Sequence, residues 1–118
     1  MIQIEEIATQ ALAHNSLQVR SLLQEFLRQK NILADTPQPQ VENKDILAFS
    51  AALLELLGER LSEQAPSWTA NIGPARQPIF LVQAAQRMPR LRALCEESAP
   101  EPLRKRRLYA PPNYLEFA

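Results

Sequence analysis

The sequence holds 118 residues, with 13 Lys and Arg against 13 Asp and Glu, one His and one Cys. Its length and 46% apolar content suffice for one domain with one core, and 22% charged residues at zero net charge argue against a disordered chain or a strongly basic, histone-like one. Ten prolines but two glycines leave little room for phosphate-cradling glycine loops, and a single Cys and His exclude disulfide frameworks, zinc fingers and metal clusters built from those ligands.

Ile4, Ile7, Ala8, Ala11 and Leu12 recur at helical spacing, with Glu5 and Glu6 in the turn where a helix N-terminus favours negative charge. The pattern breaks at 13–16, Ser16 is placed to cap a second helix, and Val19, Leu22, Leu23, Phe26 and Leu27 repeat the stripe. Residues 1–30 thus predict a helical hairpin. Pro37 and Pro39 make 31–43 a linker, because proline removes donors and disfavours helix at the residue before it. Asn43 or Asp45 opens a helix over 44–65 that is apolar on two faces. Ile46, Phe49, Leu53, Leu57 and Leu61 mark one, and Leu47, Ala51, Leu54 and Gly58 the other. Such a helix lies centrally in a bundle or half-buried in a partner, a second copy included.

Residues 66–77 read as a loop. Pro78 precedes Ile79, Phe80, Leu81 and Val82, a run that fits a strand or a helix start. Leu81, Ala84, Ala85 and Met88 continue at helical spacing, so the expectation is helix over 79–98, with Pro89 kinking it or starting another. Pro100 and Pro102 frame a break before the basic run Arg104, Lys105, Arg106 and Arg107. Residues 109–118 then predict an extended, proline-stiffened tail. The fold class is all-α: a small irregular helical bundle of about four to five helices with an extended proline-containing C-terminal tail, one domain over 1–118.

Charge is unevenly spread. Residues 1–65 hold five basic and nine acidic side chains, and 66–118 hold eight and four. Arg104 to Arg107, with Arg87, Arg90 and Arg92 upstream, is the strongest polar signal. In one reading it answers the acidic face of 55–63, within the chain or across a dimer. In the other it touches nucleic-acid phosphates, with Tyr109 and Tyr114 stacking on bases, or residues 4–28 act as a helix-turn-helix presenting Gln18, Arg20, Gln24 and Arg28.

Other candidates read as structural. His14 sits in the first turn, where its ring meets the last carbonyls of a helix. Cys95 falls on an apolar face with Leu91 and Leu94, and the paired glutamates read as solvated helix faces. Tyr109, Tyr114, Leu115 and Phe117 form a docking segment that either completes the chain's own core or crosses to a partner, while Trp68 plugs the body under a loop or anchors an interface.

N-terminal helices followed by a basic, proline-punctuated tail are loosely similar to the plan of small bacterial antitoxins and their regulatory relatives. No motif carries that likeness, so it transfers no residue role. The expectation is a non-enzymatic helical protein–protein interaction or regulatory module, antitoxin-like or a subunit of a bacterial complex, whose partner is another protein or itself. The alternative is a DNA-binding transcriptional regulator. No cofactor, metal, small-molecule substrate or membrane is inferred. Residues 1–6 lack a secretory signal's basic and apolar regions, and no window holds the roughly 18 apolar residues of a membrane span, so the expected compartment is the cytoplasm.

Overall fold

The structure is a computed structural model that describes residues 2–29 and 32–116. Helix α1 spans Ile4–Leu12, and its entry is fixed by the Gln3 amide, which donates to Glu6 Oε2 at 2.7 Å. Ile4, Ile7, Ala8 and Ala11 are buried, one stripe at the predicted spacing. The chain reverses at His14, whose φ of 62° is left-handed, and α2 spans Ser16–Arg28. Ser16 lies inside α2 rather than capping it. The cap is Asn15, whose side chain is diverted to Gln10 Oε1 at 2.7 Å. Val19, Leu23 and Phe26 turn inward, and α1 packs against both α2 and the next helix.

The predicted linker is tied down. Leu33 is buried in a single 3-10 turn, Leu33–Asp35, and Pro39 is buried beyond it. Asn43 Oδ1 accepts from the Asp45 and Ile46 amides at 2.8 and 3.2 Å and so caps α3, Lys44–Leu61. Every residue of α3 from Ala48 to Gly58 is buried except Glu55, which is half-buried. Two apolar faces demanded cover on all sides, and the chain's own elements supply it; Leu61 is the large apolar residue that α3 leaves exposed. The helix stops at Ser62, at φ 56°, with the Ser62 and Glu63 amides both closing onto the Gly58 carbonyl.

The predicted helix over 79–98 does not form as one piece. After a 3-10 turn at Ser67–Asn71, Ile79–Phe80 is a short strand, β1, paired in parallel with β2, Leu108–Tyr109. The Ile79 and Leu81 amides donate to the Arg107 and Tyr109 carbonyls, both at 2.9 Å. Local helical spacing was overridden because a partner strand 29 residues away captures these amides and β-branched Ile79 suits extended backbone. A 3-10 turn follows at Gln83–Gln86, and α4, Pro89–Ser98, begins with Pro89 in its first turn. Helix α5 is a single turn, Glu101–Arg104. The tail is extended only to Pro111; residues 112–116 then coil into turns, with the Tyr114 amide on the Pro111 carbonyl. Helices dominate, as the predicted all-α class requires, and the core is one cluster joining α1, α2, α3 and β2.

The end of α3 gives a paired test. Alanine in place of a helical glycine ordinarily gains about 1 kcal/mol. A Cβ at Gly58, however, would lie 2.8 Å from the Glu63 carbonyl oxygen. Gly58→Ala should therefore destabilise by about 1–2 kcal/mol, while Ser62→Gly, which relieves a left-handed residue, should stabilise by up to about 1 kcal/mol. Urea denaturation measures both.

Candidate interaction surfaces

The basic run is split: Arg106 is buried, while Arg104, Lys105 and Arg107 stay exposed. Helix α5 and the turn after it carry Arg106 inward until its side chain is 4% exposed, against Glu55 on α3. Its Nη1 donates to Glu55 Oε1 at 2.7 Å and to the Pro102 carbonyl at 3.2 Å. Nη2 donates to Glu55 Oε2 at 3.1 Å and to the Thr69 carbonyl at 2.8 Å, and Nε to the Ile72 carbonyl at 3.3 Å. Five acceptors meet the five N–H groups of a guanidinium, in a fork that lysine cannot reproduce. Lys105 adds a second cation on Glu55 Oε1 at 2.9 Å. Arg104 donates to the Glu97 carbonyl, and Arg107, at φ 64°, to the Arg76 carbonyl. The run thus answers the acidic helix within the chain, through Glu55 alone; Glu59 and Glu63 remain exposed.

Burial pushes the Glu55 carboxyl up, but hydrogen bonds and charge from Arg106 and Lys105 overcome it and hold the group at about 2. A depressed carboxylate contributes stability above its unfolded value and loses it as pH falls through its folded one. Glu55→Gln should cost about 3–5 kcal/mol near neutrality, because it leaves Arg106 a buried, unneutralised cation. The wild type's advantage over this variant should then shrink as pH drops from 4.5 to about 2, followed by urea midpoints at each pH.

The aromatic tail folds back onto its own body. Tyr109 lies in β2, its ring 5.4 Å from that of Phe80, and the Arg92 guanidinium sits 4.7 Å over the Phe80 ring. Tyr114 and Leu115 are half-buried against the core, and burial pushes the Tyr114 phenol above its usual value. Phe117 lies outside the described residues. Tyr114→Ala should therefore lower stability, by about 1–3 kcal/mol in urea denaturation. Trp68 plugs the body, its indole N–H on the Thr36 carbonyl at 2.8 Å.

The remaining candidates also have structural partners. The His14 ring does not meet its own helix's carbonyls. Its Nε2 lies 3.0 Å from the Phe80 carbonyl oxygen and ties the α1–α2 turn to β1. Cys95 is fully buried, and burial together with Glu96 pushes its thiol up, away from a reactive thiolate. Among the described residues no group of three or more His, Cys, Asp or Glu is placed to hold a metal ion, and no helix is long and apolar enough to cross a membrane. On α2, Gln18, Arg20 and Arg28 are exposed and Gln24 half-buried, with Arg28 paired to Glu25 at 3.3 Å.

What stays open is a different set of residues. Leu17 is 84% exposed, Ile32 65% and Met88 54%, with Leu61 and Leu94 each at 42%. Leu17 stands at the mouth of a groove of about 370 Å³ between the α1–α2 turn, Leu81 and Tyr114, and Ile32 borders a second of about 380 Å³ beside α1. Arg87 and Arg90 are exposed, and among the described residues their side chains make no ion pair or hydrogen bond. The sequence grouped these arginines with the basic run, of which Glu55 draws only Arg106 fully inward. Leu17 and Ile32 had no signal, whereas Met88 was expected on a stripe with Leu81, Ala84 and Ala85 and is exposed because the chain leaves helix there, between the 3-10 turn and α4.

Comparison with known proteins finds no matching family, no matching curated protein and no matching solved structure.

Proposed function

We propose that the chain is a non-enzymatic, helical protein–protein interaction module of the regulatory kind. The observation that supports this reading is the set of large apolar side chains left in water after the core has closed, with Leu17, Ile32 and Met88 each more than half exposed. Full burial of such a side chain is worth roughly 1.5–3 kcal/mol. The fold does not collect that free energy, and an apolar polypeptide partner does. Against nucleic acid stand the loss of Arg106 to Glu55 and the packing of Tyr114 on the core, where it is not free to stack on a base; the exposed Arg87, Arg90, Arg104 and Arg107 are why duplex DNA is the competing ligand in the test.

The test is unbiased selection on the full chain at about 0.15 M salt. A displayed peptide library and a random DNA duplex pool are panned in parallel. Enrichment of apolar peptides, whose binding falls at least about tenfold when Leu17, Ile32 and Met88 are changed to Ser, supports the reading. Enrichment of duplexes with no peptide, or peptides indifferent to those substitutions, overturns it.

A further inference from the structure

Helix α4 stands apart from the other helices in how its charges lie. Its first turn carries Arg90 and Arg92 and no acidic residue, and its last turn carries Glu96 and Glu97 and no basic one. A helix dipole favours the opposite arrangement, so these charges work against the helix that bears them. Arg92 has a local role, with Nε on Glu96 at 3.1 Å and its guanidinium over Phe80. Arg90 and Glu97 have none: both are exposed, and among the described residues neither side chain makes an ion pair or hydrogen bond.

The helix is held to the body along one side. Cys95 is its one buried residue and Leu91 is half-buried next to it, one turn away. At 100° per residue the opposite side carries Arg90, Ala93 and Glu97, flanked by Leu94, and all four are exposed. Along this face the order is cation, small residue, leucine, anion. Turned end over end, the same order is its own complement.

We infer that α4 binds a second copy of itself, antiparallel across a two-fold axis. Arg90 of each chain faces Glu97 of the other, and Leu94 packs across Ala93, the small residue that lets the two helix backbones approach. A two-fold contact is isologous, so each pair occurs twice and one patch serves both chains. A ten-residue helix offers less area than a permanent dimer needs, so the contact is reversible and concentration-dependent. The inference goes beyond the proposed peptide-binding role and uses a different surface from Leu17, Ile32 and Met88.

Sedimentation equilibrium of the full chain, from micromolar to about millimolar concentration, tests it. The wild type should dimerise with a Kd between about 10 µM and 1 mM. Arg90→Glu sets glutamates face to face at both pairs and should weaken the dimer by at least about tenfold. Glu97→Arg should do the same with arginines. Arg90→Glu improves the fit to the helix dipole, so thermal melts of that variant should show α4 intact or stabilised, which separates loss of contact from loss of fold; Glu97→Arg stands beside Arg104, which already donates to the Glu97 carbonyl, and is read against its own melt. The double variant Arg90→Glu, Glu97→Arg restores both pairs with reversed polarity and should return Kd to within about threefold of wild type. A wild type that stays monomeric, single variants that dimerise as well as wild type, or a double variant that fails to recover each overturns the self-pairing. Peptide selection reads the broader role separately: enriched peptides on a chain that stays monomeric would leave the module and remove this partner.

Discussion

A carboxylate in the middle of an otherwise enclosed helix is the constraint around which this molecule is organised. From Ala48 to Gly58, α3 has nowhere to meet water except at Glu55. An ionised group at that depth is strongly unfavourable unless a charge meets it in the same place. Arg106 does so, and the three carbonyls that absorb its remaining N–H groups come from residues 69, 72 and 102. One guanidinium therefore fixes the loop after α3, helix α5 and the start of β2 against the central helix. The parallel pairing of β1 with β2 accompanies that placement: with Arg106 held on Glu55, the carbonyls of Arg106, Arg107 and Tyr109 accept from the Ala75, Ile79 and Leu81 amides.

Helical periodicity made the first half of the fold legible. Stripes in α1 and α2 are local, and a helix apolar on two faces has one outcome in water, which is enclosure. Asn43 was readable as a cap for the same reason, since its partners are two and three residues away. The second half was less legible because its decisive contacts are distant in sequence. Ile79–Phe80 becomes strand through residues 108–109, His14 reaches Phe80 across 66 positions, and Arg106 reaches Glu55 across 51. In the sequence Arg106 is one of four neighbouring cations. Only the turn after α5 decides which of the four points inward.

The surface followed the same division. The aromatic tail looked equally suited to its own core and to a partner, and packing decided for the former at Tyr114 and Leu115. Leu17 lies off the α2 stripe and gave no sign of its exposure, while Met88 lay on the expected 79–98 stripe and is exposed because that single helix does not form. The charges of α4 were visible from the start, but their meaning was not. A reversed charge order on a helix becomes informative once the helix is known to be a helix, and the expected single element over 79–98 concealed where its ends lie.

The long sequence span between Glu55 and Arg106 also orders the events of folding. A chain leaving the ribosome exposes α1, α2 and α3 first, and their contacts are local enough to form early. At that stage the central helix carries an acid whose counter-charge has not yet been synthesised, so it cannot be sealed on that side without protonating or leaving a path for water. Detaching residues 101–109 from the body would therefore leave Glu55 without its counter-charges on an otherwise enclosed helix.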